Sequence, residues 1–383
     1  MKVVDLHCDT ILEIWNSELR GERLSLRDTE GSGHPLMLDL KKMSAGDYLL
    51  QNFALFTDLK MPKDFDGSAA SWMTPGISEN DPERCWDPWD QFLQLVRIFN
   101  EEMSANADLI RPVRSYADIE ENIRAGRMSA LLTTEEGGFL QGRADRLKEV
   151  YDAGVRMMTI TWNYDNELGH PNKPMPGFET DFRKYFQFRP GKDDGLTPVG
   201  KEIVDAMTSM HIIPDVSHLS DAGFYDVADI CRGPFAASHS NARALCGCSR
   251  NLTDEMIRII GGHGGVIGIN YAPPFVTEAD SEERCVTTCE ALARHARHIM
   301  NVGGSDVIAL GSDFDGISPV GLEIENASQM QKLAAGFERN GFSVSEIEGI
   351  FFRNAHPLCP WYPRGGQVSR RCSLQGRLRS GWG

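Results

Sequence analysis

A chain of 383 residues, 41% of them hydrophobic, is long enough for one large α/β domain with insertions or for two of medium size. Its 55 Asp and Glu against 39 Lys and Arg give a net charge of -16. That charge repels phosphate backbones and anionic lipid, which argues against general nucleic-acid or membrane-surface binding. No run of about 18 uncharged apolar residues occurs, so no membrane-spanning helix is expected. The strand-like pattern begins at Met1 and leaves no room for a signal peptide.

Short apolar runs rich in Val, Ile and Thr recur at residues 3–8, 51–56, 130–134, 157–162, 212–216, 235–238, 266–271 and 307–311. Segments with helical periodicity separate them, and such alternation implies a parallel sheet. Runs without strict polar alternation suit strands covered on both faces. Eight repeats favour closure into a (β/α)8 TIM barrel over an open doubly wound sheet, although periodicity alone does not separate the two.

Two excursions interrupt the pattern. The first, residues 59–114, follows the second strand and turns helical around 89–103. The second, residues 164–196, follows the fourth strand and is rich in Pro, Gly and aromatics. In a barrel both overhang the mouth and read as lid or pocket walls.

Residues 1–354 read as a single barrel domain. Residues 355–383 differ from the rest, with five arginines, three prolines, five glycines and no Asp, Glu or Lys. They read as a basic disordered tail or as the product of a frame change. The nine cysteines are scattered. Neither Cys246-x-Cys248 nor Cys285 with Cys289 matches a two-pair zinc ribbon, so buried free thiols in a reducing cytoplasm are expected.

The chemistry gathers at strand ends. Strand one ends in Asp5-Leu6-His7-Cys8-Asp9, where alternation puts His7 and Asp9 on one face and Cys8 on the other. Later ends carry Thr134-Glu135-Glu136-Gly137-Gly138, Asp215-Val216-Ser217-His218, Ser238-His239-Ser240 and Gly311-Ser312-Asp313-Phe314-Asp315-Gly316. Taken singly, a strand-end histidine is more often structural, and a strand-end Asp is often a helix N-cap. Jointly, imidazoles and carboxylates converge on the C-terminal rim. That mixture suits zinc, manganese or cobalt better than calcium or magnesium. Three His with one Asp and one Glu exceed one tetrahedral site, and a Glu bridging two ions about 3.5–4 Å apart would use all five.

Those motifs resemble the membrane dipeptidase (renal dipeptidase) family, peptidase family M19, in its bacterial form, from residue 3 to about residue 354. The resemblance implies a zinc-dependent dipeptidase with two Zn2+ per chain, held by His7, Asp9, His218 and His239 and bridged by Glu136. It implies that a bridging hydroxide attacks the peptide carbonyl and that Asp313 is the catalytic acid/base. Arg250, within Ser249-Arg250-Asn251-Leu252, is then the clamp for the substrate's terminal carboxylate. Residues 195–201 match a helix start of the family with no chemical role. Small dipeptides, some with a C-terminal D-residue, are the implied substrates, and a homodimer is the implied assembly.

Two positions depart from the animal pattern. Trp162 stands where those enzymes carry a carbonyl-binding His, and Phe56 where they carry a Tyr. Trp162, Asn163 and Phe56 are therefore expected to line the substrate site, with Asn163, Tyr164 or the metal stabilising the oxyanion. Two rival readings stay open. One is another binuclear amidohydrolase acting on a lactam-type amide, although such enzymes usually open with His-x-His and carry a bridging carboxylated lysine. The other is a non-catalytic metal-binding homologue.

Overall fold

A computed structural model describes residues 1–61, 63–67, 85–172, 194–278 and 284–355. The proposed C-terminal tail lies outside these residues from position 356 onward, as do the middle of the first excursion and much of the second.

Nine parallel strands form one sheet: β1 (Val3–Asp5), β2 (Tyr48–Phe56), β3 (Ile110–Val113), β4 (Met128–Glu135), β5 (Met157–Thr159), β6 (Ile213–Asp215), β7 (Ala236–Ala237), β8 (Val266–Ile269) and β9 (Ile308–Leu310). They lie in the order β2-β1-β9-β8-β7-β6-β5-β4-β3, and β2 also pairs with β4. That last pairing, from Leu50↔Ser129 to Phe56↔Glu135, closes eight strands into a (β/α)8 barrel. β3 is outside the ring, paired only to the first half of β4. It was not foreseen from sequence because its four residues, Ile-Arg-Pro-Val, lie inside an excursion and two of them, Arg111 and Pro112, are exposed.

Closure follows from the side chains. Val4, Leu50, Leu131, Met157, Ile213, Ala236, Val266 and Ala309, one from each barrel strand, pack together as an apolar floor. Further along β4 and β6 the same face turns polar, with Glu135 after Leu131 and Asp215 after Ile213, and Ser238, Asn270 and Asp313 follow the ends of β7, β8 and β9. The opposite faces, such as Phe53, Leu132, Met158 and Ile267, pack into the larger cluster under the outer helices. The barrel therefore holds an apolar base and a polar mouth.

β1 stops earlier than its apolar run because the Asp5 carboxylate takes over the bonding. Asp5 Oδ1 accepts from the His7 N–H (3.2 Å) and from the Ser312 N–H (3.0 Å). Asp215 does the same between β6 and β7, accepting from the Ser217 and Ser238 N–H groups at 3.0 and 2.9 Å. Each carboxylate locks the chain that carries the next histidine. Cys8, Cys231, Cys246, Cys248 and Cys289 are buried free thiols. No helix among the described residues is long and apolar enough to cross a membrane.

One buried histidine serves the fold alone. His295, 1% exposed in the helix Cys289–Gly303, accepts the Ala242 N–H at Nδ1 (3.1 Å) and places Nε2 3.0 Å from the Val276 carbonyl. The neutral Nε2–H tautomer satisfies both, and burial lowers its pKa to about 4. The unfolded chain binds this proton near pH 6.5 and the folded chain near 4. Its contribution is therefore complete above pH 6.5 and fades as pH falls towards 4, on the order of 3 kcal/mol in all. Chemical denaturation at pH 7 and pH 4.5 is expected to show a smaller loss on acidification in His295→Gln than in the native chain. An equal loss in both would count against it.

Candidate metal centre

Six side chains meet at the C-terminal mouth: His7 and Asp9 after β1, Glu135 at the end of β4, His218 after β6, His239 after β7 and Asp313 after β9. Their donor atoms fall into three overlapping groups: His7, Asp9 and Glu135; Glu135, His218 and His239; and His7, His239 and Asp313. Within each group the atoms lie within 4.8 Å of one another. All six residues are buried.

Glu135 occupies the centre. Its Oε2 is 3.3 Å from His7 Nε2, and its Oε1 is 2.9 Å from His218 Nε2 and 3.5 Å from His239 Nε2. His7 Nε2 is also 3.4 Å from Asp9 Oδ2 and 3.9 Å from Asp313 Oδ1. The His7 and His239 rings stack at 3.9 Å.

Glu136 is the correction. The expectation placed it as the bridging ligand, but it stands outside the cluster. Its Oε2 accepts the Trp162 N–H (2.8 Å), and its Oε1 accepts the Gly138 N–H (2.6 Å) and the Asn166 side-chain amide. The reason is alternation: Glu135 shares the barrel-facing side of β4 with Leu131, and Glu136 begins the turn that follows, at φ 74°.

The outer atoms of the imidazoles are held. His218 Nδ1 is 3.0 Å from Asn163 Oδ1, and His239 Nδ1 is 2.7 Å from Ser238 Oγ. An amide oxygen only accepts, so His218 carries its proton on Nδ1 and offers the Nε2 lone pair inward. His218 and Asp313 adopt φ of 67° and 66°, an uncommon conformation for non-glycine residues, which turns their side chains into the mouth. Close approach also explains Gly316. A β-carbon there would sit 2.2 Å from Asp9 Oδ2 and 2.6 Å from Asp313 Oδ1.

Electrostatics mark the site as cation-seeking. Burial alone would lower the His7 imidazole, yet Glu135 and Asp9 raise it well above the ordinary histidine range. Burial, helped by the Glu135 charge, pushes Asp9 up to about 8. Burial and the Arg250 charge bring His218 down to about 4, so it is a neutral ligand-type imidazole. Three carboxylates are buried here, with Arg250 the one arginine among the residues named at the mouth. The His218 and His239 Nε2 atoms are 2.9 Å apart, while His7 Nε2 and Asp9 Oδ1 are buried without a hydrogen-bond partner. Converging lone pairs and crowded carboxylates are costly unless a cation joins them, so the donor set fits divalent metal.

The neighbouring residues were partly foreseen. Arg250, 4% exposed, donates to Ser240 Oγ (3.3 Å) and to the His239 carbonyl (3.2 Å), while its Nε is buried without a partner. Phe56 meets Trp162 edge-on at 4.8 Å, and Trp162 meets Tyr164 at 5.2 Å and His218 at 6.1 Å. Asn163 supports His218 rather than lining the site by itself. Sequence reasoning missed Glu135, Asn166 and Asn270. Asn270 donates to Asp313 Oδ2 at 3.0 Å. Its only advance signal is its place directly after the end of β8. Asp315 belongs to the scaffold, accepting from Thr10 Oγ1 and the Met37 N–H, each at 2.6 Å.

A parallel (β/α)8 barrel with imidazoles and carboxylates converging at its C-terminal mouth defines a metal-dependent hydrolase. The chain belongs to the membrane dipeptidase family, peptidase family M19, whose description matches residues 1–357. It is a metallo-dipeptidase of that family, acting on dipeptides.

Among its relatives, an uncharacterized protein of the pqqA 5′ region of Klebsiella pneumoniae is 32% identical over 270 residues, covering 70% of this chain and 94% of its own. The dipeptidase aclJ of Aspergillus oryzae is 29% identical over 262 residues, 67% of this chain and 57% of its own. A solved M19 dipeptidase, dipeptidase AC, superposes with a TM-score of 0.74 at 25% identity, covering 94% of this chain and 99% of that one. A Rhodobacter sphaeroides metallopeptidase, solved with a phosphinate mimic of the dipeptide L-Ala-D-Ala, shares the fold with a TM-score of 0.77 at 24% identity, covering 94% and 98%.

Proposed function

We propose that the protein is a zinc dipeptidase with two ions per chain, held by His7 and Asp9 on one side, by His218 and His239 on the other, and by Glu135 between them. The observation that carries this reading is the division of Glu135, one oxygen towards His7 and the other towards His218 and His239. Zinc bound there lowers the pKa of water towards 7 and polarises the scissile carbonyl.

The chain's own groups do the rest. Asp313, oriented by Asn270, takes the proton of the attacking water and returns it to the leaving amine. Arg250 grips the free carboxylate of the substrate with donors not consumed by Ser240 and His239. Phe56, Trp162 and Tyr164 exclude water on another side of the mouth. A C-terminal D-residue is among the accepted substrates, a reading supported by the L-Ala-D-Ala mimic held by the Rhodobacter sphaeroides relative. The buried thiols suit a reducing compartment such as the cytoplasm.

The test is hydrolysis of a panel of L,L- and L,D-dipeptides by metal-stripped protein refilled with zinc. Turnover that requires zinc supports the reading, and absence of turnover on the whole panel with two zinc ions bound overturns it. The clamp has its own prediction. Arg250→Met is expected to raise KM for dipeptides by about 10- to 100-fold, the worth of a charge-assisted pair. The native enzyme should likewise discriminate against dipeptide amides, and equal cleavage of amide and free acid would remove this role.

A further inference from the structure

Glu136 has a backbone that glycine would adopt more cheaply, at φ 74°, yet it is a fully buried carboxylate. A left-handed non-glycine residue is strained and persists only where the surroundings hold it. Here the holding is done by the side chain itself, through its bonds to the N–H groups of Gly138 and Trp162 and to the Asn166 amide.

Two of those partners, Trp162 and Asn166, stand at the two ends of the turn that follows β5. Asn166 Nδ2 also donates to the Ile160 carbonyl (2.9 Å), and its Oδ1 accepts the Leu168 and Gly169 N–H groups at 2.7 and 3.0 Å. Glu136 thus ties the end of β4 to the turn that follows β5. The residue directly after the anchored Trp162 N–H is Asn163, whose Oδ1 faces His218 Nδ1 at 3.0 Å.

We infer that Glu136 is a positioning residue for the metal centre: it anchors the Trp162–Asn163 main chain, and Asn163 in turn fixes the tautomer and tilt of His218. The inference rests on the metal centre proposed above. A carboxylate is suited to this place because it accepts from three donors at once, which neither the amide nor a glycine does.

The test measures zinc affinity by chelator competition, with melting of the metal-free form as the control for folding. Asn163→Ala, at a half-buried position, and Glu136→Gly, which keeps the backbone relaxed, are each expected to weaken one of the two zinc ions about 10-fold and leave the other alone. Asn163→Asp, which retains an acceptor for the Nδ1 proton, should bind both ions as the native chain does. The double variant Glu136→Gly with Asn163→Ala should lose no more than Glu136→Gly, since the two act along one path. Unchanged affinity in Asn163→Ala overturns the relay, as do fully additive losses in the double variant. If Glu136→Gly does not fold, Glu136→Gln takes its place beside the Asn163 pair: weakening of the same zinc ion in Glu136→Gln and Asn163→Ala upholds the relay, and native affinity in either overturns it. A native chain that binds no zinc overturns the metal centre together with the relay, and is read before any variant is made.

Discussion

Glu135→Gln is expected to abolish zinc-dependent turnover, with kcat lowered about 10³-fold or more, the rate equivalent of ~4 kcal/mol of charge stabilisation. The amide removes the one negative charge that faces both halves of the cluster, so loss of bound zinc should accompany loss of rate. Metal analysis beside steady-state kinetics reads both. Glu136→Gln, one residue on, should retain two zinc ions at saturating metal. Full activity in Glu135→Gln with inactivity in Glu136→Gln would return the bridging role to Glu136.

Asp313→Asn is expected to retain both ions and near-native KM while kcat falls about 10²- to 10⁴-fold, the usual worth of a positioned acid/base. Asparagine keeps the shape and can still accept from Asn270 Nδ2, but it cannot carry the proton between water and amine. Burial raises the Asp313 carboxyl and the His7 charge opposes that shift. Because Asp313 also groups with His7 and His239, the metal count is the decisive control. Zinc lost in Asp313→Asn would make Asp313 a ligand rather than the proton carrier.

Much of this protein was legible from its residues. The eight barrel strands fall on the eight apolar runs, because strands buried on both faces must be apolar throughout. Three histidines meet at the mouth because each follows a strand end, and in a barrel all such ends meet on one rim. The family resemblance added roles for Asp313 and Arg250 that spacing alone could not supply. β3 was lost among polar neighbours, and Asn166 and Asn270 carry no motif that separates a supporting amide from an ordinary loop residue.

The acid at the centre shows where sequence reading stops. Residues 131–136 read Leu-Leu-Thr-Thr-Glu-Glu, so the odd positions and the even positions carry the same series of apolar, hydroxyl and carboxylate. Alternation along a strand separates two faces only when the faces differ, and here they do not. By itself the sequence determined that a carboxylate would end β4 at the mouth of a barrel beside three histidines. Tertiary structure decided which one: pairing of Phe56 with Glu135 and packing of Leu131 into the barrel floor turn Glu135 inward. Glu136 is left at φ 74° to bond the turn after β5. The physical reason is that register is a property of neighbouring strands, and no single strand contains it.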